Sequence, residues 1–150
     1  MITALNVANN ILFRAFNEKC DTTPMKLQKL LYFVYKTYLQ KTETALFSDR
    51  IEAWKYGPVI AVVHNEFKAY KAKRIKKFHR SVDGSIWAVD EDSDEDFYHS
   101  INYVWGTYKD YNGISLSILT HKPGTAWRKA YEAGELYLND LDILNEGCLT

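Results

Sequence analysis

Thr120 and His121 are the side chains that most invite a catalytic reading in this 150-residue chain, since histidine is the usual general base near neutral pH. A base needs a nucleophile to activate and a third group to orient it, and the sequence nominates neither. The structural alternative is that His121 uses its ring nitrogens to tie a short turn to the helix that carries Trp127. His64, His79, His99 and His121 are scattered, without the H-x-x-x-H or H-E-x-x-H spacing that puts two metal ligands on one helical face. Cys20 and Cys148 stand near opposite ends with no C-x-x-C spacing, so they read as free thiols. The seven glycines are dispersed, and neither a phosphate-cradling loop nor a G-x-S-x-G elbow occurs. The expectation is a protein with no catalytic residue, no metal and no cofactor.

Charge and aromatic content point toward binding instead. Nineteen basic and nineteen acidic residues cancel, which argues against a general nucleic-acid or membrane-surface binder. Within that balance, residues 68–80 hold seven lysines and arginines and residues 90–96 hold six acids. A solvated turn and its flanks account for this plainly; the sharper reading is a basic arm for an acidic protein surface or for RNA phosphate. Eleven tyrosines and four tryptophans bring the aromatic fraction to 15%. Lys76, Lys77, Arg80, Trp87, Tyr103, Trp105 and Tyr111 are the residues expected to contact a partner, because exposed Trp, Tyr and Arg usually anchor interfaces.

The elements that must position these groups centre on residues 25–40, MKLQKLLYFVYKTYLQ. Leu27, Leu30, Leu31, Val34 and Tyr38 recur at helical spacing, and Tyr32, Phe33, Tyr35 and Leu39 widen the apolar face. Only a strip near Lys26, Lys29, Lys36 and Gln40 is left for water. Thr23 is the expected cap and Pro24 fits the first turn. Residues 3–18 form a first amphipathic helix, with Leu5, Ala8, Leu12 and Phe16 inward and Asn6, Asn10, Arg14 and Asn17 mostly outward. A short extended segment at 50–55 delivers Trp54 to the core, with Tyr56 beside it, and Gly57-Pro58 open a third helix. Residues 74–89 change to a period of two around Asp83-Gly84, which predicts a β-hairpin pairing Arg80 with Trp87 and Phe78 with Val89. A fourth helix is signalled by Ser93-x-x-Asp96 and stops at Asn112-Gly113; helical turns at 115–120, 125–133 and 138–144 follow. The fold class is mainly α, a compact helical domain with one small β-hairpin, and at this length one domain over 1–150. The first sixteen residues lack the features of a signal peptide and no apolar run is long enough to cross a bilayer, so a cytoplasmic protein is expected.

Three segments in fixed order resemble a known family: KLQKLLYF at 26–33, EAWKYGPV at 52–59, and L-x-x-LTH at 116–121 followed by Trp127. The pattern is similar to the Panacea, or SocA-like, antitoxin domain, a phage-associated family. The resemblance makes Leu27, Leu30, Leu31, Trp54, Tyr56, Gly57, Pro58, Thr120, His121 and Trp127 motif positions, expected to support a site rather than form it. It implies an antitoxin that binds a cognate protein toxin and blocks it by contact; with no extension beyond the domain, no separate DNA-binding module is expected. The alternative is a phage or prophage adaptor that docks on a host protein or delivers a client to a protease. Self-association stays open, and nucleic acid is the weaker partner class.

Overall fold

The computed structural model describes residues 1–147, so Cys148 lies outside the described residues. Its long central helix is α2 (Pro24–Thr42), which touches α1 (Ala4–Glu18), α3 (Ala61–Phe67), α4 (Glu95–Tyr108), α5 (Gly113–Thr120), α7 (Asp140–Leu144) and one strand. Thr23 caps α2 by accepting from the Lys26 amide, and Pro24 occupies the first turn, as the sequence predicts. Thr3 caps α1 in the same way. Leu27, Leu30, Leu31, Tyr32, Phe33 and Val34 are buried together, a face on which each large side chain contributes about 1.5–3 kcal/mol of transfer free energy. Phe33 stacks on Tyr108 of α4 with ring centroids 4.5 Å apart.

The strip of α2 expected to face water does not. Lys26, Lys29 and Lys36 are all buried, and only Gln40 is exposed. Each lysine ends on a backbone carbonyl of a neighbouring segment: Lys26 on Lys109 at the end of α4, Lys29 on Pro58 at 3.0 Å, and Lys36 on Gly147 at 2.6 Å. Lys36 is also paired with the buried Glu146 carboxylate at 3.1 Å. Glu146 in turn accepts from Tyr32 Oη and the Ala126 amide, latching the last described residues onto α2 and α6 (Ala126–Glu132). A long methylene stem passes through an apolar layer at little cost, which lets lysine reach carbonyls that leucine would leave bare.

The β-hairpin exists but not where the Asp83-Gly84 turn predicts it. It joins β1 (Glu52–Trp54) to β2 (Gly57–Val59), antiparallel, with Glu52 opposite Val59 and Trp54 opposite Gly57. Residues 136–138 lie along the other edge of β1, with Ala53 donating to Leu136 and Leu138 donating to Ile51. Pro58 therefore sits in a strand, and α3 starts only at Ala61. The cause is on α2: the Gln28 side chain pairs with both the amide and the carbonyl of Ile60, at 2.9 and 3.0 Å, and holds the chain extended where a helix would begin.

Residues 74–89 carry no strand; the two arms of the expected hairpin do not pair with each other. A turn closes at 81–85, where Ser81 donates to Ser85 and Gly84 to Ser81, and Arg80 bonds the Gly84 carbonyl rather than meeting Trp87. Both arms are captured by α1. The next helix, α4, is capped by Asp94 and not Ser93, and it ends at Tyr108; Asn112 is the cap of α5 rather than the stop of α4.

Candidate functional site

The three motif segments meet at one place. Gly57 adopts a φ of +116°, which glycine tolerates best, and a side chain there would stand 2.8 Å from Thr120 Oγ1 and 2.9 Å from Lys29 Cε. The hairpin thus lies directly on α2 and α5. Ser117 Oγ donates to the Tyr56 carbonyl at 2.6 Å, and Trp127 Nε1 donates to the Trp54 carbonyl at 2.6 Å. Lys29, whose amine donates to the Pro58 carbonyl of the hairpin, is 2% exposed, and burial alone lowers its pKa to about 7.

His121 does not tie the turn through its ring nitrogens. Its ring stacks on Trp127 at 4.0 Å, Trp127 stacks on Tyr131 at 4.7 Å, and the His121 carbonyl accepts from Arg128 Nε. Nε2 is buried without a hydrogen-bond partner among the described residues. Burial lowers the imidazole pKa, and the nearby Lys29 and Arg128 charges lower it further. Thr120 Oγ1 donates to the Ser117 carbonyl, within its own helix. Tyr56 is corrected too: its ring, expected in the core, is 58% exposed at the hairpin tip, and only its carbonyl is held. Trp54 is half-buried, edge-on to His64, with its indole on Glu52.

Beside this junction lies a cavity of about 450 Å³ between the start of α2, the hairpin tip and α3. Its walls include Leu27, Trp54, Val59, Val63 and Phe67, with Lys29 among them.

A second feature is the arm that leaves α3 and returns to α4. Asn9 Nδ2 donates to the carbonyls of His79 and Trp87 at 3.0 and 2.8 Å, and Asn9 Oδ1 accepts the His79 amide at 2.9 Å. Asn10 does the same one residue on, donating to the Val89 carbonyl and accepting the Val89 amide. The two amides stand in for a neighbouring strand. Arg14 forms a bidentate pair with Glu91 at 2.5 and 2.7 Å. Burial pushes the Glu91 carboxyl up, but Arg14 and Asn10 outweigh it and its pKa lies below the usual value. His79 Nδ1 contacts Glu66 on α3, and Phe78 packs edge-on against Phe16.

Pinned in this way, the arm presents Trp87 at 60% exposure together with Ile86, and Phe13 of α1 is also outward. Lys76, Lys77 and Arg80 are exposed and in no ion pair among the described residues. Tyr103 is exposed on α4. Trp105 is not an interface residue: it is buried, with its indole donating to Glu18 at 2.8 Å across α1 and α4. Tyr111 is half-buried against Tyr108. The sequence reading missed Asn9, Asn10, Gln28 and Lys29. The available signal was amides and a lysine flanked on both sides by apolar residues at core spacing, Ala8 and Ile11 around the asparagines and Leu27 and Leu30 around Gln28 and Lys29.

No helix among the described residues is long and apolar enough to cross a membrane, and among them no group of three or more His, Cys, Asp or Glu is placed to hold a metal ion. No solved structure matches the chain significantly. Antitoxin SocA of Caulobacter vibrioides (strain NA1000 / CB15N) is 30% identical over 131 residues, an alignment covering 84% of this chain and 69% of that protein. The family described as antitoxin SocA-like, Panacea domain, matches residues 27–128, a span that takes in the hairpin, the α5 segment and Trp127. With its junction of α2, hairpin and α5 lying inside that span, the chain belongs to the SocA-like Panacea antitoxin family.

Proposed function

We propose that this protein acts in the cytoplasm, as one domain, to neutralise a cognate protein toxin by binding it directly, with no reaction of its own. The observation that carries the reading is the arm at 76–89: an irregular segment fixed on α1 by Asn9 and Asn10, with Trp87 and Ile86 turned outward and with Lys76, Lys77 and Arg80 exposed and in no ion pair among the described residues. A pinned arm with an exposed aromatic loses little conformational freedom on docking, and exposed tryptophan and arginine are frequent anchors of interfaces. The family to which the chain belongs supports the antitoxin role. A specific complex buries about 1,600 Å² in total; the exposed faces of the arm and of α1 are where that contact is expected to start.

The test is co-expression with the product of the flanking gene, scored by growth and then by co-purification. Replacing Lys76, Lys77 and Arg80 by glutamate is expected to abolish rescue while leaving far-ultraviolet circular dichroism unchanged. Trp87→Ala is expected to weaken the purified complex by about 2 kcal/mol or more, roughly thirtyfold in Kd. Full neutralisation by both variants removes the arm from the interface.

A further inference from the structure

The cavity beside the motif junction has a lining with a marked charge bias. Four lysines and one histidine take part in it, Lys29, Lys55, Lys68, Lys71 and His64, and no aspartate or glutamate does. The chain as a whole is neutral, so this is a local departure. Lys55, Lys68 and Lys71 are exposed and form no ion pair among the described residues. Two acids on the adjoining elements are engaged elsewhere, Glu52 by the Trp54 indole at 2.9 Å and Glu66 by His79. Behind the cations the walls are hydrocarbon and aromatic: Leu27, Val59, Val63, Phe67 and Trp54.

Size and polarity together select the guest. The volume of about 450 Å³ falls in the range of small-molecule sites. At about 30 Å³ per water it holds roughly fifteen waters, of which an organic molecule of about ten non-hydrogen atoms would displace about half. A neutral apolar guest leaves the lysines without a counter-charge, and an inorganic anion leaves the walls wet. A nucleic-acid strand is too large to enter. We propose that this cavity is a binding site for a small amphipathic carboxylic acid, its alkyl or aryl body against Val63, Phe67 and Trp54 and its carboxylate at the Lys55, Lys68 and Lys71 rim. The site is independent of the arm and does not depend on how the toxin is held. An acidic, apolar segment of a partner protein has related chemistry, and the experiment separates the two.

Octanoate is the probe and octan-1-ol its neutral counterpart, each titrated into the purified full chain and followed by the indole resonance that Trp54→Phe removes. Octanoate is expected to bind one-to-one with Kd on the order of 0.1 mM, and octan-1-ol about tenfold more weakly or worse. Replacing the exposed Lys68 and Lys71 by glutamate should weaken octanoate at least about tenfold with the circular dichroism unchanged. Equal affinity for acid and alcohol, binding indifferent to the two substitutions, a stoichiometry above one, or a Trp54 response to a toxin segment but not to octanoate would each overturn the proposal.

Discussion

With its amine inside the protein and its pKa lowered to about 7 by burial, Lys29 links folding to pH. The unfolded chain keeps that proton up to its ordinary value near 10.5, so between about pH 7 and 10 the unfolded state binds more protons than the folded one. Stability therefore rises with pH across that window, by up to about 1.4 kcal/mol per pH unit from this group. Above it the sign reverses, because burial raises the Tyr32 and Tyr35 phenols and the unfolded chain loses those protons first. Urea unfolding of wild type at pH 6.5, 8 and 9.5 should show the climb, and Lys29→Met should flatten it; an unchanged slope would place the coupling elsewhere. His121 works on the acid side. Its depressed pKa means that the stability it contributes is present above the unfolded value of 6.5 and lost as pH falls through the folded one. Replacing it by phenylalanine keeps the stack on Trp127 and removes the buried, unpartnered Nε2, which should stabilise by about 1 kcal/mol. The gain in Tm should be larger at pH 5.5 than at 7.5. A loss at both would mean that the ring nitrogens do something the packing does not show.

At the scale of elements, the arm between α3 and α4 is held by side chains doing what a strand would do. Asn9 and Asn10 satisfy both polar groups of His79 and Val89, so truncating them leaves half-buried amides and carbonyls without these partners. Asn9→Ala with Asn10→Ala should cost about 1–3 kcal/mol for each group left unpaired, and amide exchange at His79 and Val89 should speed up far more than in α2. Equal acceleration everywhere would show global destabilisation rather than release of the arm. The same two residues explain what was legible in the sequence. The period-two pattern at 74–89 predicts a hairpin, but no strand forms there, because an alternating pattern does not say what a segment pairs with; here the partner is an asparagine pair on a helix. The starts of α1, α2 and α6 were readable because Thr3, Thr23 and Thr125 cap locally, within three residues, whereas Asn112, the cap of α5, reads equally well as the stop of the helix before it. The hairpin at 52–59 was not, because Gln28 and Lys29, about thirty residues back, decide whether Pro58 extends or coils. Of the expected partner-binding set, Trp87 and Tyr103 are exposed while Trp105 is spent on Glu18. A helical repeat marks which residues share a face, and several faces of α4 are covered.

For the whole molecule, charge separation rather than net charge sets how it meets a partner. The formal net charge is zero, so at long range the protein exerts little field. At closer range the seven basic residues of 68–80 and the six acids of 90–96 are distinct, and Arg14 binds Glu91 so that one acid is neutralised on α1. Lys76, Lys77 and Arg80 are exposed and in no ion pair among the described residues. If the toxin presents an acidic face to this arm, attraction acts during encounter and is screened once the Debye length falls from about 10 Å at 0.1 M salt toward about 3 Å at 1 M. Association measured by stopped flow should then slow about tenfold between roughly 0.05 and 0.5 M sodium chloride, while dissociation changes less than about twofold. The Lys76, Lys77 and Arg80 to glutamate variant should lose most of that salt dependence. A salt effect confined to dissociation would instead mean that the cations are buried against the toxin in desolvated pairs, and the exposed Trp87 would no longer be the main anchor.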